Sequence, residues 1–154
     1  MEGPTVKRRG TRVALLAALA LLLLGAGVAL AVQAPPGTYK GKTDQKRPVT
    51  VKVGDGGQVV HFDIGWQAKC KKPHKFWTAS TQFPNSGTTD KIANSIPYTS
   101  PAVGGYSGRV TPNLTGKFTT ATTAHGKFKA HVKVMKNGKK VDSCKVSTKW
   151  HAKA

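Results

Sequence analysis

From residue 49 onward the chain repeats one pattern, in which apolar and polar side chains alternate with a period of two. Val49, Val51 and Val53 are interleaved with Thr50 and Lys52. Val60, Phe62, Ile64, Trp66, Ala68 and Cys70 are interleaved with His61, Asp63, Gly65, Gln67 and Lys69. Phe128, Ala130, Val132 and Val134 alternate with Lys127, Lys129, His131 and Lys133. Cys144, Val146, Thr148, Trp150 and Ala152 alternate with Lys145, Ser147, Lys149, His151 and Lys153. Such a pattern belongs to strands that cover a core on one side and meet water on the other. No helical period follows residue 34. The pattern predicts an all-β fold of roughly seven to nine short strands, an antiparallel β-sandwich or flattened barrel.

Turn residues test the register. Asp55-Gly56 reads as a two-residue hairpin loop that pairs Val51 with Val60 and Val49 with Phe62, apolar face on apolar face. A two-residue loop at Asn137-Gly138, with no other adjustment, would set Val132 opposite Ser143 and His131 opposite Cys144. One strand's core face would then meet the other's wet face, which a sheet does not accept. The sequence therefore requires either a three-residue Asn137-Gly138-Lys139 loop or a bulge near Asp142, both of which pair Val132 with Cys144.

Gly37-x-Tyr39, Gly104-x-Tyr106, Gly116-x-Phe118 and Gly126-x-Phe128 repeat a glycine–aromatic spacing and are read as strand starts. Residues 84–104 hold Pro84, Pro97, Pro101 and Gly104-Gly105 and lack alternation, so a long loop is expected there.

The start of the chain differs in kind. Lys7, Arg8, Arg9 and Arg12 precede an unbroken apolar and glycine run from Val13 to Val32. Ala29-Leu30-Ala31 has the small-x-small form of a cleavage site, and Pro35-Pro36 stop any helix. Residues 1–31 are read as a signal peptide forming an N-terminal signal helix, residues 32–37 as a linker and residues 38–154 as the β domain. An uncleaved membrane anchor is the alternative, since a run of this length can just cross a bilayer. Either way the β domain is expected to be secreted or extracytoplasmic, associated with the cell envelope.

The formal charge is +19, from 25 Lys and Arg against 6 Asp and Glu. Without residues 1–31, 21 bases face 5 acids, leaving +16, and all the bases but Arg47 and Arg109 are Lys. The acids are Asp44, Asp55, Asp63, Asp90 and Asp142. In an exported chain the two cysteines, Cys70 and Cys144, are most simply one disulfide; two free thiols are the alternative.

The opening Gly37-Thr38-Tyr39-Lys40-Gly41-Lys42-Thr43-Asp44-Gln45, the Gly105-Tyr106-Ser107-Gly108 element and the closing Cys144 and Trp150 resemble an uncharacterised family of secreted actinobacterial β-domain proteins. The resemblance spans residues 37–152. It implies export and a β fold, and no activity. The long 84–104 stretch and the excess of Lys depart from that family's pattern.

Paired-carboxylate catalysis is disfavoured by five scattered Asp and no Glu in the β domain. His61 and Asp63 share one wet strand face, but no Gly-x-Ser-x-Gly turn accompanies them. A small hydrolase using His61, His125 or His131 is therefore the weakest reading. No Cys/His spacing suggests a metal, and no cofactor is expected. The sequon Asn113-Leu114-Thr115 fits a surface loop.

The cations carry more. Lys127, Lys129, His131 and Lys133 lie on one side of one predicted strand, and Lys145, Lys149, His151 and Lys153 on the same side of the next. A second cluster, Lys69, Lys71, Lys72, His74 and Lys75, leads into Phe76 and Trp77. Dense positive surfaces attract polyanions, and Lys acts there as a point charge. The expected partners are an anionic cell-envelope polymer, anionic lipid or extracellular nucleic acid. The competing expectation is a structural or protein-interaction domain whose charge is incidental.

Overall fold

The computed structural model describes residues 32–73 and 75–154. The expected signal peptide and His74 lie outside the described residues. Nine strands follow in order: β1 (Gly37–Thr43), β2 (Pro48–Val53), β3 (Val59–Cys70), β4 (Phe76–Pro84), β5 (Ile92–Asn94), β6 (Tyr98–Thr99), β7 (Tyr106–Thr120), β8 (Thr123–Lys136) and β9 (Lys139–Lys153). All pairings are antiparallel, in the order β4-β3-β2-β1-β9-β8-β7-β5, with β6 also on β7. The all-β expectation holds. The strands are less uniformly short than expected, because β7, β8 and β9 run to 15, 14 and 15 residues.

One strand makes the sheet fold over. Along one edge β9 pairs with β8 throughout. Its other edge takes β1 at Trp150–Lys153 and β3 at Cys144 and Lys145. The β1–β4 arm and the β7–β9 arm therefore enclose a common core. Rings meet across it: Phe62 and Trp150 at 4.9 Å, Tyr39 and Phe118 at 4.8 Å, Trp66 and Phe128 at 5.7 Å. Trp66, Phe62, Phe128 and Trp150 are fully buried, each contributing about 1.5–3 kcal/mol of apolar burial. Cys70 and Cys144 sit opposite each other in the β3–β9 pairing and form the disulfide, tying one arm to the other.

The β8–β9 hairpin resolves the register problem by the second of the two routes. The loop is two residues, Asn137 and Gly138, both left-handed at φ 49° and 76°, and the ladder shifts between Val134 and Met135. Val134 faces Asp142 and Met135 faces Lys140, so Val141 is the extra residue, and Val132 meets Cys144 as required. The β2–β3 register is corrected by two residues. A 3-10 turn over Asp55–Gly57 lengthens the connection, and a bulge after Val59 pairs Val51 with Phe62 and Val49 with Ile64. Val59 takes the buried place assigned to Val60, which is exposed.

Gly37 opens β1 and Gly104 lies two residues before the start of β7, but Gly116 and Gly126 are not strand starts. They face each other inside β7 and β8. The Trp150 ring lies over both, and a Cβ at either would come within 2.3 or 2.7 Å of its Cζ2. The Trp150 Nε1–H donates to the Thr115 carbonyl at 3.2 Å. The glycines are there to seat an indole.

Residues 84–104 carry β5 and β6 rather than a bare loop. Strands of three and two residues are too short to show alternation. Ser86, Thr89 and Ile92 are buried. The Tyr98 hydroxyl meets Thr81 Oγ1 at 2.6 Å, and Thr81 in turn accepts from Trp66 Nε1 at 2.8 Å. Asn113 of the sequon lies within β7, opposite Lys129, and not in a loop.

Candidate functional site

Alternation on β7, β8 and β9 buries one residue and exposes the next, so every second side chain joins one wet face. Lys127, Lys129 and Lys133 are exposed on β8, and Lys145, Lys149, His151 and Lys153 on β9; His131 is half-buried among them. The ladder sets these groups in rows. Lys117, His125, His151 and Lys42 cross four strands, from β7 to β1. Lys127 stands opposite Lys149. Thr111, His131, Lys145 and Lys69 form a further row that reaches β3. Arg109 stands opposite Lys133, and Lys153 opposite Lys40.

Directly opposed side chains in a sheet have Cβ atoms about 4.5–5.5 Å apart, where like charges repel. This face is therefore held together against its own electrostatics by the apolar face beneath it. The cost is visible at His131, whose imidazole is held below the ordinary histidine pKa by partial burial, then by Lys145, Lys133, Lys140 and Lys71. Two open grooves run along the face. One, of about 490 Å³, is lined by Lys129, His131 and Lys145; the other, of about 420 Å³, by Asp44, His125, Lys127, Lys149 and His151.

Of the five acids, Asp44 lines the second groove. Asp44 accepts from the Lys149 backbone N–H at 3.4 Å, and Asp142 from the Ser143 and Lys72 backbone N–H groups at 2.7 and 3.4 Å. Asp63 accepts from the Ser80 hydroxyl at 2.5 Å, and Asp90 from the Thr88 hydroxyl. Four of the five carboxylates thus serve the backbone and hydroxyls.

The second predicted cluster divides. Lys69 joins the face through Lys145, and Lys71 lies close enough to act on His131. Lys72 and Lys75 lie instead at one end of the sandwich, lining a hollow with Phe76 and Trp77.

Sequence reasoning missed Lys40, Lys42, Arg109 and Lys117, which widen the ridge from two strands to four. The signal was present in the exposed positions that alternate with Tyr39, Val110, Leu114 and Phe118.

The histidines do not converge. His125 and His151 share one row, His131 lies three rows along, and His61 is on β3 opposite Lys52 of β2. Among the described residues no three His, Cys, Asp or Glu side chains gather as a metal cluster. Compared with family models, curated proteins and solved structures, the chain matches none.

Proposed function

We propose that this is an extracytoplasmic, non-catalytic β-domain that binds polyanions, anionic cell-envelope polymers foremost, through the outer face of β7, β8, β9 and β1. One observation carries this reading. Ten cations, Lys40, Lys42, Arg109, Lys117, Lys127, Lys129, Lys133, Lys145, Lys149 and Lys153, are aligned by strand register on one continuous surface. A solubilising coat would intersperse both signs. Apart from Asp44, this face concentrates one sign and keeps it despite the repulsion. Lysines suit loose contact with a polymer backbone, and the open grooves suit a chain laid across strands. A disulfide is at home in an oxidising compartment, which supports the extracytoplasmic placement.

The test is retention on heparin or purified wall polymer across a salt gradient. The wild type should elute at elevated salt, with affinity falling steeply as salt rises. The combined Lys127→Glu, Lys129→Glu and Lys133→Glu variant should elute near the void. Retention indifferent to salt, or unchanged in that variant, would leave the charge incidental and favour a structural or protein-interaction domain.

A further inference from the structure

Beyond the flat lysine face, one end of the sandwich combines exposed apolar groups with cations. Five large hydrophobic side chains are exposed among the described residues, and three of them meet here: Val103 at 78%, Phe76 at 57% and Tyr106 at 41%. Register brings them together. Val103 and Tyr106 exchange backbone hydrogen bonds of 2.8 and 3.0 Å, forming a tight turn around Gly104 and Gly105, both left-handed. Tyr106 pairs with Lys136 at the end of β8, which sets this turn beside the Asn137-Gly138 hairpin. Phe76 opens β4 just after the β3–β4 turn and, with Trp77, shares a hollow of about 330 Å³ with Tyr106.

Lysines ring this apolar tip. Lys72 and Lys75 line the hollow, and Lys136 Nζ lies 4.9 Å from the Tyr106 ring centroid. Lys139 and Lys140 leave the adjacent hairpin, both exposed. The acid at the hollow, Asp142, already accepts from two backbone N–H groups. Trp77 packs on Gly108 at the back, and its Nε1–H is buried with no hydrogen-bond partner among the described residues.

Exposed aliphatic and aromatic groups encircled by Lys match the interface of an anionic bilayer. Apolar tips enter the headgroup boundary while Lys stems lie along it and their ammonium groups meet lipid phosphates. Val103, the most exposed of the three, favours lipid over nucleic acid as occupant, because an aliphatic side chain offers a base no stacking surface. We propose that this tip, formed by the β3–β4 turn, the Val103–Tyr106 turn and the β8–β9 hairpin, docks the domain on an anionic lipid surface. The lysine face is left free for a second ligand.

The experiment is co-sedimentation with vesicles of phosphatidylglycerol in phosphatidylcholine, against phosphatidylcholine alone, run in parallel with heparin retention. The variant combines Phe76→Ser, Val103→Ser and Tyr106→Ser, which changes no charge and touches only exposed side chains. Wild type should prefer the anionic vesicles. The variant should bind them about tenfold more weakly or worse, with heparin retention unchanged. Equal vesicle binding by both proteins would overturn the tip proposal. So would heparin retention by a wild type that ignores the vesicles, and that result would leave the polyanion reading intact. A wild type that binds neither would sink both. If the variant loses oligothymidylate binding but keeps vesicle binding, the tip stacks bases and the lipid assignment is wrong.

Discussion

The sandwich has two outer faces made by the same alternation, and they differ in chemistry. Over β2, β3 and β4 the outward residues are Thr50, Lys52, His61, Asp63, Gln67, Thr78, Ser80 and Gln82. Four of them bond to one another in pairs. Ser80 donates to Asp63, Gln67 Nε2 donates to Thr78 at 3.1 Å, and Gln45 exchanges bonds of 2.8 and 3.0 Å with the Gln67 backbone. Over β7, β8 and β9 the corresponding positions are mostly Lys, His and Arg, with like charges opposed. Solubility alone would place no premium on one face. The contrast sets ten of the 21 bases of residues 32–154 on one surface and leaves the other face mixed.

The largest expected effect comes from cutting the tie between the two arms. Replacing Cys70 and Cys144 by Ser frees a 74-residue separation that the bond now closes. Stability should fall by about 4 kcal/mol in the chain-entropy account, read as a lowered midpoint in denaturant. Polyanion affinity of the folded variant at low temperature should be unchanged, since the β7–β8–β9 ladder aligns the lysines independently of β3. A parallel loss of affinity would mean that the two faces are not separable.

A smaller effect sharpens the contrast through protons. His131 is held below its ordinary pKa by partial burial and by neighbouring lysines. As pH falls below about 6.5, the unfolded chain takes up this proton before the folded one does. This contribution to stability is therefore complete above that pH and is lost as pH falls toward the depressed folded value. A bound polyanion offsets the lysine field and should raise the His131 pKa. Proton uptake should accompany binding below about pH 6.5, and affinity should increase on acidification. Resonances of His131 followed by NMR with and without heparin would read the shift, and His131→Asn should reduce the uptake.

Much of this was legible in the sequence, for identifiable reasons. A period of two shows which side chains are wet, so Lys127, Lys129, Lys133, Lys145 and Lys149 could be placed on one face without coordinates. The clash between a two-residue Asn137-Gly138 loop and the apolar pattern forced the right register, and left open only which residue bulges. Elsewhere the local signal was overruled. Asp55-Gly56 looks like a tight hairpin, but Gly57 adds a second left-handed glycine and the turn lengthens. Gly116 and Gly126 look like strand punctuation, yet their reason is the Trp150 ring, more than twenty positions downstream. The tip could not be read from local pattern, because Phe76 comes from one connection, Val103 and Tyr106 from a second, and Lys139 and Lys140 from a third.

The central claim is that location, and not net charge, carries the binding. Two double variants test it with identical chemistry. Lys127→Gln with Lys129→Gln removes two charges from the lysine face. Lys52→Gln with Lys91→Gln removes two charges from β2 and from the connection before β5. Binding to a short DNA duplex, used as a polyanion probe, is measured against salt concentration. The log–log salt slope should become shallower by about 2 for the first pair and stay near the wild-type value for the second. Equal changes for both pairs would contradict the claim.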